Sequence, residues 1–204
     1  MDGTRRVEHT RQRIIETAER LFAEHGVFAT SNRQISEAAD QGNTAAVHYH
    51  FGTKAGLVRA IVRRHSEAMD ARRAGLIARC AGSTDLRDWV ACVVLPFTEH
   101  LTSLGTPSWY ARFAAQVITE PALRELAAAE IGEESLLGTV TAALHRCLPD
   151  LPAAVRSERD DMVRTLIVHF CAQRERTAAP DWAATASGLI DAIEGVYRAP
   201  VSPV

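Results

Sequence analysis

Apolar residues recur along this chain at intervals of three and four, and strand-like alternation is almost absent, so the pattern predicts helices throughout. Ile14, Ala18, Leu21 and Phe22 share one face of a first helix, which ends near Gly26, a residue suited to the left-handed turn that closes helices. Ser31-Asn32-Arg33-Gln34 has the spacing of a capping box and predicts the start of a second helix, with Ile35, Ala38 and Ala39 as its short apolar face. Asp40-Gln41-Gly42-Asn43 reads as a turn, with Asn43 placed to cap a third, short helix that reaches Phe51. Gly52 breaks the chain and Thr53 caps a long fourth helix. Its face carries Leu57, Ile61, His65 and Met69, and it fades near Ala81-Gly82.

Ser83-Thr84-Asp85 opens the next helix, bearing Leu86, Val90, Val93, Val94, Phe97 and Leu101. Gly105 and Pro107 mark a loop before a shorter, aromatic-rich helix from Ser108 to Ile118. Pro121 begins a long helix, kinked near Gly132, that ends at Leu148-Pro149. Two more follow, over 153–176 and 181–198. The sum is an all-α fold of nine helices: an N-terminal three-helix helix-turn-helix module over residues 1–60, joined inside the fourth helix to a larger C-terminal helical bundle over 61–204.

Charge sharpens this division. Residues 1–66 hold ten Lys/Arg against seven Asp/Glu, whereas 67–204 hold thirteen against eighteen, so a mildly basic segment precedes an acidic body. That asymmetry suits a nucleic-acid module carried by a second domain. With no long apolar run and a polar, basic start, the chain is expected to be cytoplasmic, without membrane span or signal peptide. Cys80, Cys92, Cys147 and Cys171 form no CxxC pair and no zinc spacing, and read as structural thiols rather than a disulfide framework. No metal or cofactor is expected. No glutamate is followed three residues later by histidine, and no nucleophile-elbow or P-loop pattern occurs, so the chain is not read as an enzyme.

Three short helices with a tight turn between the second and third fit the size of B-DNA, whose major groove, about 12 Å wide, admits one α-helix. Thr44-Ala45-Ala46-Val47-His48-Tyr49-His50 starts with small residues that allow a close approach, and its Tyr and His tips can donate to phosphates or bases. Val47 and Phe51 are expected to point inward. Tyr49 and His50 would equally suit the closing of a small core, and His48 and Lys54 a plain surface.

The run from Thr30 to Ala39, with Arg33-Gln34-Ile35 at its centre, and the run Ala46-Val47-His48-Tyr49-His50-Phe51-Gly52-Thr53-Lys54-Ala55-Gly56-Leu57 together resemble the N-terminal signature of the TetR family of transcriptional regulators. The resemblance covers residues 10–60. It implies that Ser31, Asn32 and Arg33 grip phosphate, that Asn43, Thr44, Ala45 and His48 contact bases, and that Tyr49, His50 and Lys54 bind the DNA backbone. One departure is a turn one residue longer than the common pattern, with Asp40-Gln41-Gly42 where Gly-Val is usual, which leaves the register from Gln41 to Thr44 open.

In the last helix Trp182, Leu189, Ile193, Val196 and Tyr197 fall on one arc, and Ala184, Gly188, Ala192 and Gly195 on the opposite one. Small residues allow a second helix to approach, as a subunit contact or as close packing within the monomer. The preceding helix adds Met162 and Leu166 in an apolar stripe too broad for one neighbour. The resemblance implies a homodimer in which the last two helices of each copy form a four-helix bundle, presenting two recognition helices to a palindromic operator in double-stranded DNA. Trp89, Phe97, Trp109, Phe113, His145 and Phe170 are candidates for lining a pocket for a small, largely apolar effector, though the same residues suit any helical core. The function expected is that of a DNA-binding regulator, a repressor released by an unidentified small molecule; the alternative is a helix-turn-helix dimer without an effector.

Overall fold

The computed structural model describes residues 2–40, 45–132, 135–148 and 150–202. Its elements are α1 (Asp2–His25), α2 (Asn32–Ala38), α3 (Ala46–Phe51), α4 (Lys54–Arg79), α5 (Leu86–Leu104), α6 (Tyr110–Thr119), α7 (Pro121–Ile131), α8 (Leu136–Arg146), α9 (Ala153–Arg174) and α10 (Trp182–Arg198). Among the described residues there is no strand, and no helix is long and apolar enough to cross a membrane. Among the described residues ten helices replace the nine expected. The long helix predicted after Pro121 is two, because Gly132 takes φ +76° and Ser135 then caps α8, its side chain accepting from the Gly138 N–H at 3.2 Å.

The chain divides into two compact units, Met1–His65 with Ser108–Ile131, and Ser66–Pro107 with Gly132–Val204. In the first, α6 packs on α1, and α2 on both α1 and α3. Ile14, Phe22, Ile35, Val47, Leu57, Ile61 and Phe113 are buried in this unit, with the Phe22 and Phe113 rings 6.1 Å apart. Thus α6, remote in sequence, belongs to the core that supports the helix-turn-helix segment. Gln116 shows how: its Nε2 donates to Phe22 O at 2.6 Å and its Oε1 accepts from Val27 N at 3.1 Å. One side chain gives a second donor to a carbonyl near the end of α1, which also accepts from Gly26 N at 2.9 Å, and accepts from an amide of the turn that follows. A second tie is buried, His65 Nε2 donating to Glu19 Oε2 at 2.6 Å, with the imidazole stacked on the Tyr110 ring at 3.7 Å.

In the second unit α5 packs on α10 and α8, and α10 on α9. Pro96 lies inside α5 and has no N–H to give to the carbonyl four residues earlier. That carbonyl, of Cys92, accepts instead from Arg73 Nε at 3.4 Å, and the buried guanidinium is paired with Asp70. Arg159, also buried, donates to the carbonyls of Tyr197 and Ala199 at 2.6 Å each, closing the C-terminus of α10. Asp160 accepts from Tyr197 Oη at 2.6 Å and from His145 Nε2 at 2.8 Å, so α8, α9 and α10 meet at one carboxylate.

Burial pushes the Cys92 and Cys171 thiols up to about 12, and burial together with the Asp160 bond raises the Tyr197 hydroxyl. In the unfolded chain, thiols ionise near pH 8.5 and tyrosine near pH 10. Each group is neutral when protonated and has a raised folded pKa, so its contribution is complete below the unfolded value and is lost as pH rises toward the folded one. The urea midpoint should therefore fall steadily from about pH 8.5 to 11. Tyr197→Phe should flatten the part above about pH 10; a midpoint constant across this window would contradict the burial of these groups.

Candidate nucleic-acid interface

The second helix starts as its sequence predicts. Ser31 Oγ accepts from Gln34 N at 3.2 Å while Ser31 N donates to Gln34 Oε1 at 2.8 Å, a complete capping box. Arg33 and its neighbour Glu37 are exposed, and Arg33 Nε donates to Glu37 Oε1 at 2.7 Å. That bond, and then the carboxylate charge, raises the guanidinium pKa above its ordinary value. Asn32 is half-buried, and its Oδ1 is a buried acceptor without a partner among the described residues. At the other end Asp40 turns the chain at φ +52° and accepts from Arg13 NH2 at 2.8 Å, which ties the end of α2 to α1.

The third helix has two faces. Ala46 and Val47 are buried, whereas Ala45, His48 and Tyr49 are exposed and His50 half-exposed. Tyr49, at 76% exposure, is the most exposed of the large apolar side chains described. So large a ring gains nothing from the protein's own core there. Its edge meets the His50 ring at 5.0 Å, and His48 Nδ1 lies 2.6 Å from Gly52 O, closing the helix end. Phe51 sits beneath the Arg11 guanidinium at 5.3 Å. The alternative that Tyr49 closes a small core is thus set aside, His50 is only half-exposed, and Val47 points inward as predicted. Asn43 and Thr44, together with Gln41 and Gly42, lie outside the described residues.

The junction between α3 and α4 is tight. Thr53 Oγ1 accepts from Gly56 N at 3.0 Å and caps α4 as expected. A Cβ on residue 56 would overlap the carbonyl oxygen of Phe51, so only glycine lets the two helices approach this closely. Lys54 does more than face solvent. Its Nζ donates to the carbonyls of Val27 at 3.0 Å and Phe28 at 3.4 Å, pinning the turn between α1 and α2 to the start of α4. Lys54→Ala should therefore lower folding stability by about 1–2 kcal/mol, read as an earlier thermal transition; an unchanged transition would assign the lysine to the surface alone.

Sequence reasoning missed Gln116, Arg11, Arg13 and Phe28, the last 65% exposed in the turn that Lys54 holds. One signal was available: Gln116 is the lone amide in the otherwise apolar end of α6.

Trp109 and Phe113 belong to the first unit, and Trp89, Phe97, His145 and Phe170 to the second. Trp89, Phe97 and Phe113 are buried as core, with Trp89 Nε1 donating to Ser83 O at 3.0 Å; Trp109 is the N-cap of α6, and His145 is held by Asp160. Phe170 instead lines an open groove of about 590 Å³ between α9 and α10, with Leu166, Ala184, Gly188 and Ala192. Around this groove Ala184, Gly188, Ala192 and Gly195 are exposed and Leu166 is half-buried, and Met162 is 50% exposed. Among the described residues beyond the helix's own backbone, nothing lies within 4 Å of a Cβ placed at Gly188 or Gly195. Close packing within the monomer therefore does not account for these glycines.

A family model described as bacterial regulatory proteins, tetR family, matches residues 14–61, from the middle of α1 into α4. The HTH-type transcriptional regulator TtgR of Pseudomonas putida is 36% identical over 86 residues, covering 42% of this chain and 38% of that protein. The HTH-type transcriptional repressor AcnR of Corynebacterium glutamicum is 39% identical over 61 residues, 30% of this chain and 32% of that one. The chain thus matches about a third of the length of these relatives. Across the whole fold, the crystal structure of the TetR family transcriptional regulator PfmR from Thermus thermophilus superposes with a TM-score of 0.57 at 18% identity, covering 95% of this chain and 98% of that one. Residues 14–61 thus match the tetR family's helix-turn-helix model, and the whole chain shares the all-helical fold of that regulator.

Proposed function

We propose that this protein is a transcriptional repressor that binds palindromic double-stranded DNA as a homodimer. The observation that carries the reading is α3 itself, a helix with one face buried by Ala46 and Val47 and the other offering Ala45, His48 and Tyr49 to solvent. An exposed helix with small and hydrogen-bonding side chains fits a major groove, and exposed Arg33 adds positive charge beside it. Lys54 then acts through the turn it pins, and its part in phosphate contact is shared with that task. The dimer is assigned to the outward faces of α9 and α10, where Gly188 and Gly195 leave room for a partner's helices. Two-fold pairing of the same patch presents two copies of α3 to a palindrome.

Release by a small, largely apolar effector is the finer reading and rests on the family resemblance. The version without an effector is favoured by one observation, the burial of Trp89, Phe97 and Phe113 as core side chains. Selection from a random pool of double-stranded DNA by the full-length protein tests the central reading. A palindromic consensus is expected, with contact spacing of about one helical turn or more; failure to enrich any sequence would overturn it.

A further inference from the structure

The four cysteines are not equivalent. Cys80 follows the last residue of α4 and Cys92 lies in α5, and their Sγ atoms stand 3.6 Å apart. The remaining two cysteines have no such partner among the described residues: Cys147 Sγ donates to Ala143 O at 3.6 Å, and Cys171 is wholly buried. We propose that Cys80 and Cys92 form a peroxide-sensitive pair that closes reversibly to a disulfide, making the α4–α5 turn a redox modification site.

The turn between them holds the pair in place. Ser83 N donates to Cys80 O at 2.9 Å, Ser83 Oγ donates to Asp88 Oδ2 at 2.6 Å, and Trp89 Nε1 donates to Ser83 O at 3.0 Å. Cys80 Sγ itself reaches Asp88 O at 3.8 Å. On the other side, the Cys92 carbonyl is anchored by Arg73. A disulfide needs the sulfurs about 2.05 Å apart, so closure asks for a movement of about 1.5 Å, within reach of side-chain rotation and a small shift of the turn at Gly82.

Their surroundings assign the order of events. Cys80 is half-exposed, so peroxide meets it first, whereas Cys92 is buried, and burial pushes its thiol up to about 12. The Cys80 sulfur, as thiolate, attacks one peroxide oxygen, breaking the O–O bond; sulfenic acid forms and the departing oxygen leaves as water. Cys92 sulfur then attacks the Cys80 sulfenic sulfur, and the displaced hydroxide takes the Cys92 proton as a second water. Two thiols lose two electrons in all, and one hydrogen peroxide is reduced to two waters. A dithiol reductant reverses the change by exchange. In a reducing compartment, a disulfide of this kind is transient and signals oxidation rather than building the fold.

The test is peroxide treatment of the full-length native protein, followed by alkylation of remaining thiols and peptide mass analysis. The expected product is a monomeric chain lighter by two hydrogens, with a Cys80–Cys92 linkage, free Cys147 and Cys171, and full recovery on dithiol reduction. In Cys92→Ser, a sulfenic-acid probe should label Cys80; in Cys80→Ser, Cys92 should resist both peroxide and label. The linked protein should also melt about 5 °C or more higher, because a closed 12-residue separation restricts the unfolded chain. Oxidation of Cys80 without linkage, linkage only between chains, or equal reaction of all four thiols would overturn the proposal. Because the readout is thiol chemistry, none of these outcomes bears on DNA binding.

Discussion

His65→Ala is expected to destabilise the protein by about 3 kcal/mol, the combined cost of leaving a buried side chain without its hydrogen-bond partner and of losing a packed ring. Glu19 and His65 are 7% and 1% exposed, and they meet at 2.6 Å. Without the imidazole the Glu19 carboxylate is stranded out of water, and the stacked face of Tyr110 loses its neighbour. For a chain of this size such a loss lowers Tm by roughly 10 °C. The design that separates pairing from packing is a double-mutant cycle with Glu19→Ala. If the two residues act as a pair, the double variant loses less than the sum of the single ones by about 1 kcal/mol or more. Strict additivity would mean that the residues contribute independently. Because the pair joins α1 to α4 within the first unit, its loss should also release protection of α1 amides in hydrogen exchange earlier than those of α10.

Gly188→Arg should convert the proposed dimer to a monomer while leaving the subunit folded. Among the described residues, nothing beyond the helix's own backbone lies within 4 Å of a Cβ at this position, so the isolated chain tolerates the side chain, and replacing a mid-helix glycine adds helix stability of about 0.5–1 kcal/mol. Across the proposed two-fold, however, two arginines would meet where two helices need to approach. Sedimentation should give a dimer for the parent protein and a monomer for the variant, with unchanged helical circular dichroism. Operator affinity should fall by about 100-fold or more, since two half-sites can no longer be held by one assembly. A dimeric Gly188→Arg protein would move the interface away from the groove between α9 and α10.

What could be read from the sequence was local. The Ser31–Gln34 capping box, the Thr53 cap and the split faces of α10 depend on spacings of three and four residues, and the structure has each of them. The first unit's deeper ties depend on partners far apart: Glu19 with His65 are 46 residues apart, and Gln116 with Phe22 are 94 apart. No periodicity carries that information, because it arises from how helices pack rather than how they form. The same limit explains the aromatic candidates. Phe97 and Phe113 satisfy a pocket and a core equally well in sequence, and only the folded chain shows both to be buried. Cys80 and Cys92 match no metal or redox motif by spacing, and become a pair only through the turn that folds α5 back. Gly132 failed as a signal for a physical reason too, since one glycine can kink a helix or end it, and the Ser135 cap decided between them.

The most direct measurement is a binding titration of DNA from beside the protein's own gene against the parent protein and Tyr49→Ala at several salt concentrations. The account predicts specific binding whose logarithm falls linearly with log salt, at a slope of about −0.9 per phosphate contacted, and loss of specificity in a Tyr49→Ala protein that unfolds at the same temperature as the parent. Specific binding that is unaffected when Tyr49 is removed, or whose strength does not change with salt, would contradict the assignment of α3 as the helix that enters the groove.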